Sequence, residues 1–234
     1  MMKHEIRNRI FWGLGVALVM TFLMIPAAAQ KSVIHARDEA REATQLLTGV
    51  MSVPAKSIPR SVLRNAVAIA VFTNVKKGGF IFGGTGGDGV IVRRTGKTWG
   101  PPIFYDIGGA DVGLQIGVKK GDFILVFMSE SAMNDLVDDN MELTAAVGAA
   151  AGPVGESATA STGVKSNVYV YSHSSGAFAG ATVGGATIKA NNSINEELYK
   201  MRGGEVLTDS SKIKMSTLPA ELQSLSKLLA TYSN

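Results

Sequence analysis

From Val67 to Lys189 the chain is written as short runs of β-branched and aromatic residues parted by glycine, and this punctuation restricts the fold more than anything else in the sequence. Runs so short and so bounded read as antiparallel strands joined by hairpins. The 27 glycines, most of them inside this region, call for tight bends, bulges or close backbone approaches. Strands are expected over Val67–Phe72, Gly79–Phe82, Gly89–Arg93, Ile103–Ile107, Asp111–Val118, Phe123–Met128, Asn167–Ser172, and around Ala177–Ala181 and Ala186–Lys189. Lys119-Lys120-Gly121-Asp122 reads as a hairpin tip between two of them.

Helical spacing brackets and interrupts these strands. Val33, Ala36, Ala40, Ala43, Leu46 and Leu47 recur at three- and four-residue steps, with charges of both signs between them. That mixture fits a helix packed on the domain better than one lying in a lipid interface. Further helices are expected over Ser61–Asn65, over Ser131–Met141, after the capping-box spacing Ser193-Ile194-Asn195-Glu196, and over Pro219–Tyr232, with Met201–Thr217 a loose connection. The expected fold is α+β: an antiparallel, glycine-rich β-sheet with a barrel-like core, flanked by N-terminal, middle and C-terminal helices. No linker or low-complexity tract divides it, so residues 30–234 are expected to form one domain.

Residues 1–29 divide differently. A basic start (Lys3, Arg7, Arg9, with Glu5 opposing) precedes an apolar stretch of 16 residues, Ile10 to Ile25, and then Pro26-Ala27-Ala28-Ala29-Gln30. These are the parts of a secretory signal peptide, with cleavage expected after Ala29 and a periplasmic or secreted product, peripheral if it meets a membrane. The alternative is a retained anchor, since the stretch approaches the roughly 20 residues that span a bilayer. The absence of cysteine excludes disulfides, thiol catalysis, thiolate metal sites and an acylated lipoprotein cysteine. Removing the four charged residues of the signal from 23 basic and 19 acidic ones leaves a net charge of about +2. Nucleic acid, which calls for a broad basic field, is not an expected partner.

Several motifs do not carry the chemistry they resemble. Gly84-Thr85-Gly86-Gly87-Asp88-Gly89 has dinucleotide-fingerprint spacing, but Val90-Ile91-Val92 continues it as a strand where a helix must start, so a glycine-rich turn or bulged hairpin is expected. His4, His35 and His173 have no metal-ligand spacing, and no cofactor is implied. Ser172 and His173 are strand neighbours facing opposite ways, and no nucleophile elbow exists, so no catalytic residue is assigned and the chain is not expected to be an enzyme. Asp135, Asp138, Asp139 and Glu142 lie three to four residues apart, so at least three of them would share a face of the expected helix as a solvated acidic patch. The basic doublets Lys76-Lys77, Arg93-Arg94 and Lys119-Lys120 sit beside glycine. If they converge at one end of the sheet they form a lipid-headgroup site, Arg supplying forked phosphate contacts and Lys point charges. If they do not, they are solvated hairpin ends. Phe80, Phe82, Trp99 and Phe104 line apolar surface or, more ordinarily, core.

An ordered series of short motifs over residues 58–199 resembles the SYLF domain family. It runs through Ile58-Pro59 with Val62-Leu63, Ala68-Ile69-Ala70-Val71-Phe72, Lys77-Gly78-Gly79-Phe80-Ile81-Phe82-Gly83-Gly84, Gly87-Asp88-Gly89-Val90 and Trp99-Gly100-Pro101-Pro102. It continues with Gly108-Gly109-Ala110-Asp111-Val112-Gly113-Leu114-Gln115-Ile116-Gly117, Ala150-Ala151-Gly152-Pro153-Val154-Gly155, and Tyr171-Ser172 with Ser175-Gly176-Ala177-Phe178-Ala179-Gly180. The resemblance implies a non-enzymatic lipid-binding module, with phosphoinositides the ligands of eukaryotic members. Glu156 stands where the resemblance implies a basic residue, and an exported chain meets no phosphoinositide. The expected ligand is therefore a bacterial phospholipid or another anionic or fatty lipid. The alternative is a protein-interaction or envelope-scaffold domain with an envelope protein partner and no lipid.

Overall fold

Ala68–Phe72, Val90–Val92 and Ile124–Phe127 are buried at every position, not at alternate ones. A strand shielded on one face alternates, whereas one shielded on both reads as an unbroken apolar run, so these runs specify a sheet covered on two sides. The computed structural model of the chain describes residues 27–79, 82–112, 117–143, 149–155, 166–174, 177–180 and 186–233. Of the expected signal, residues 1–29, the first 26 lie outside them. The chain divides at Lys31/Ser32, and the unit from Ser32 onward holds the whole sheet and the helices packed on it.

The strands are β1 (Ala68–Gly79), β2 (Phe82–Thr95), β3 (Thr98–Trp99), β4 (Ile103–Val112), β5 (Gly117–Phe127), β6 (Asn140–Leu143), β7 (Ala149–Ala151), β8 (Val168–Ser174), β9 (Ala177–Gly180) and β10 (Ala186–Ala190). The helices are α1 (Ala27–Met51), α2 (Arg60–Asn65), α3 (Asn134–Val137), α4 (Asn192–Tyr199), α5 (Gly203–Thr208) and α6 (Ala220–Ser233). The sheet order is β6-β10-β4-β2-β1-β5-β8-β7, with β3 on β2 and β9 on β8. Its pairings are antiparallel apart from β7 on β8, and it curls into a half-barrel, which makes the fold α+β as expected.

Strand alternation sorts the helices onto the two faces. On one face, Arg94 reaches the carbonyls of Leu63 and Arg64 in α2, and α1 is tied to α6 by Arg37 with Glu221 and Thr44 with Ser224. On the other, Arg93 donates to the Leu207 carbonyl of α5, and Tyr105 Oη donates to the Leu136 carbonyl of α3 at 2.9 Å. Neighbouring residues of one strand thus serve helices on opposite sides.

The glycine tract extends strands instead of ending them. Gly83 to Gly89 pair with β1 and β4 inside β2, so the expected turn at Gly84–Gly89 is strand interior, and rejection of the dinucleotide reading stands. Backbone ladders need no side chains, which is why residue preferences alone missed this. β1 carries a bulge: Thr73 pairs Asp88 and Lys76 pairs Gly86, leaving Asn74 and Val75 opposite Gly87. Asn74 takes a left-handed φ of 54°, a conformation its short polar side chain tolerates. A Cβ on Gly87 would lie 2.9 Å from the Val75 Cα, so only glycine fits beside the bulge.

Other expectations change too. Lys119 to Asp122 lie inside β5, the first three paired with β1 and Asp122 with His173 of β8, not at a hairpin tip. Gly79 ends β1 and Phe82 starts β2; likewise Asp111–Val118 is the end of β4 and the start of β5, with 80–81 and 113–116 outside the described residues. The expected helix Ser131–Met141 shrinks to a 3-10 turn at Glu130–Met133 and the single turn of α3, because Asp139 turns left-handed (φ 62°) and β6 follows. Glu142 is therefore on a strand, and the acidic helix face does not form. Asn191, not Ser193, caps α4, its side chain accepting from the Ile194 N–H. Met201–Thr217 is not loose: it holds α5, whose Val206 and Leu207 are buried, and two 3-10 turns.

Candidate functional site

A row of polar residues crosses the sheet where its apolar half meets its glycine-rich half. Asp106 on β4 pairs Asp88 on β2, which pairs Thr73 on β1; beyond the bulge, Asp122 on β5 pairs His173 on β8. Helix α1 lies along this row. His35 Nε2 is 3.7 Å from Asp88 Oδ2 and 3.7 Å from Glu39 Oε2. One turn on, Glu42 Oε2 accepts from Thr73 Oγ1 at 3.2 Å and Asn74 Nδ2 at 3.0 Å. The bulge N–H of Asn74 donates to Asp122 Oδ1 at 2.9 Å, and Asp122 Oδ2 lies 3.2 Å from His173 Nδ1. Ala36, Ala40 and Ala43 let the helix approach this closely, since each is buried and adds nothing beyond Cβ.

Glu39 is the anomaly of this seam, being 5% exposed with carboxylates around it. Burial first, then the charges of Asp88, Asp106 and Glu42, push its carboxyl up to about 9. Asp106 is also raised, mainly by burial and further by Asp88, although Asn191 Nδ2 donates to it at 3.1 Å. Glu39 thus holds a proton at neutral pH, as a carboxyl denied both water and a close cation must. Sequence reading placed Glu39 on a polar helix face; only the sheet beneath reveals its burial.

The basic doublets do not form one patch. Lys76 pairs Lys120 and Lys77 pairs Lys119 across β1 and β5, which places the two lysine pairs at one end of the sheet but on opposite faces of it. Arg93 pairs Ala68 at the opposite end of β1, roughly 25 Å of strand away. Its guanidinium bonds the Leu207 carbonyl and, at 2.7 Å, Glu130 Oε2. Arg94 lies 4.5 Å over the Trp99 ring and donates to Arg64 O at 2.6 Å and Leu63 O at 3.0 Å. Each arginine thereby caps a helix C-terminus, supplying the donors its last carbonyls lack. Trp99 and Phe104 are core residues, Trp99 Nε1 donating to Ser233 Oγ at 2.9 Å. Phe80 is outside the described residues.

Two concavities bear on function. A cleft of about 220 Å³ between the C-terminal half of α1 and β8 is walled by Leu46, Val50 and Val53, with Lys56 and His173 also lining it. A broader groove of about 640 Å³ along α3 and α5 is lined by Val137, Met201, Gly204 and Thr208, with Lys200 and Lys212 also lining it. Val137 is one of the exposed large hydrophobic residues. Among the described residues, no group of three or more His, Asp or Glu is arranged to hold a metal, and no helix is long and apolar enough to cross a membrane.

A family model described as Ysc84, Las17-binding protein actin regulator, matches residues 108–232. The chain is 39% identical over 148 residues to Protein YSC84 of Saccharomyces cerevisiae, covering 61% of this chain and 31% of that protein. LAS seventeen-binding protein 3 of the same yeast is 35% identical over 148 residues, covering 61% of this chain and 32% of its own length. SH3 domain-containing YSC84-like protein 1 of Homo sapiens is 26% identical over 209 residues, covering 84% and 59%. The chain thus spans about a third of the yeast relatives and under two thirds of the human one.

Proposed function

The chain belongs to the Ysc84 (SYLF) family described as Las17-binding actin regulators, and from that premise we propose that it is a non-enzymatic module that binds a protein partner. The observation that carries this reading is the open groove beside Val137, built wholly from residues inside the matched segment 108–232. The family model that matches that segment is described by a binding partner, Las17. Val137 supplies an apolar contact there, and Lys200, Glu205, Asp209 and Lys212 supply charges of both signs, as the rim of a protein interface does. Native mass spectrometry of the chain purified from its own cells tests the idea. The expected result is a stoichiometric protein adduct that disappears in Val137→Asp while the melting temperature holds. A chain that carries lipid and no protein overturns it.

A second reading, lipid binding, is favoured by a separate observation. Register pairing sets Lys76 opposite Lys120 on one face of β1 and β5, and Lys56 lines an apolar cleft, a pairing of cationic and apolar features that suits an anionic headgroup with an acyl chain. Flotation with anionic vesicles at low and high salt is its test: binding that salt abolishes supports it, and no binding at either salt removes it. We also propose export, on the N-terminal sequence, and an intact mass beginning near Gln30 is the expected outcome.

A further inference from the structure

The seam between α1 and the sheet does something that partner binding does not require. Glu39, Asp88 and Asp106 come from three elements and crowd one place, with Asp88 and Asp106 directly paired across β2 and β4. Like charges directly opposite on a sheet destabilise it, and a carboxylate buried without a cation destabilises far more. The nearest cation candidate, His35, is half exposed and stands 3.7 Å off, beyond hydrogen-bond length. Glu42 is occupied by Thr73 and Asn74, Asp106 by Asn191, and Lys189, the β10 register partner of Asp106, is exposed. Arg37 is turned outward to Glu221, and Arg41 to Asp38.

The grip of this half of α1 is also weak. Its buried apolar contacts are the alanines 36, 40 and 43, which bury little area, and its direct bonds to the sheet include those of Glu42 with Thr73 and Asn74, whereas Leu47, Val50 and Met51 hold the other half. The Arg37–Glu221 pair is solvated on both sides and contributes little.

We propose that the N-terminal half of α1 is a proton-operated latch: a proton kept on the buried Glu39, beside Asp88 and Asp106, holds Ser32–Ala43 on the sheet, and its loss, leaving a sealed carboxylate against them, releases that segment. The C-terminal half stays docked and acts as the pivot. Release uncovers the polar row of β1, β2 and β4 and the flank of α6, while the two-sided core of the sheet persists.

The absence of cysteine makes a direct test clean. Spin labels at Ile34→Cys on α1 and Lys227→Cys on α6 report the docking distance, and labels at Thr98→Cys and Lys227→Cys report a pair that should not move. Distances are measured by pulsed electron resonance in full-length protein at about pH 5.5 and about pH 9.5. The latch gives one narrow Ile34–Lys227 distance at the lower pH and a broad, longer distribution at the higher, with the control pair unchanged. Glu39→Gln should keep the narrow distance at both. Asp88→Asn, which removes one like charge without touching Glu39, should shrink the broadening and keeps the test available if Glu39→Gln folds poorly. A distance that stays narrow in the native sequence overturns the proposal. So does broadening that survives both substitutions, or a control pair that broadens in parallel and so reports general unfolding.

Discussion

Asp139 and Gly204 show how much one contact can fix. The Asp139 carboxylate accepts from Gly204 N and Asn192 Nδ2 at 2.8 Å and from Arg202 Nη2 at 2.7 Å, joining α3, α4 and α5. A Cβ on Gly204 would run into the Val137 carbonyl, which belongs to backbone and cannot turn aside. Gly204→Ala should therefore cost about 2 kcal/mol or more, read as a shift in urea midpoint. Asp139→Ala should cost about 1–3 kcal/mol by orphaning donors that sit partly buried. The two acids pull the pH profile in opposite directions. Burial raises Asp139, but its bonds to Asn192, Gly204 and Arg202 outweigh that and hold it below the ordinary carboxylate range, so its contribution is present above that range and fades as pH falls through its folded value. Glu39 is raised to about 9, so its contribution is full below the ordinary carboxylate range and fades as pH climbs toward 9. The melting temperature should peak at mildly acidic pH and decline through neutrality. Glu39→Gln should flatten that decline and add on the order of 2 kcal/mol at pH 8.

Helices here are anchored as much by single donors as by apolar area. Arg94 caps α2 and stacks on Trp99, so Arg94→Ala should cost about 1–3 kcal/mol in chemical denaturation. Arg94→Lys should recover less than half of it, because a point charge cannot fork to two carbonyls. The doublet was visible in the sequence as two basic residues beside a turn, and that is all composition gives. The faces they take follow from strand alternation, and the carbonyls they meet lie 30 and 114 residues away along the chain. Helix α1 was legible from its spacing, and so was its packing face. The middle helix was not, since a left-handed Asp139 fixed from outside by Arg202 and Gly204 ends it early in a run already rich in weak helix formers such as Asn, Asp, Ser and Val.

Across the whole molecule, charge and apolar concavity separate into two places, the lysine end of β1 and β5 with the α1 cleft, and the groove along α3 and α5. Lys76→Glu should weaken any vesicle binding at least several-fold in flotation and leave the melting temperature within about 1 °C, since an exposed lysine holds nothing in place. Val137→Asp should do the reverse, sparing vesicles and removing a protein partner. Glycine-parted β runs, the α1 periodicity and the ordered motifs were enough for an α+β fold and its family, because those patterns are local and each repeats the same message. Which lysines pair, which arginines become caps, and that Glu39 is sealed against Asp88 and Asp106 depend on register and on helices crossing strands. Such contacts join residues far apart in the chain, and no local preference encodes them.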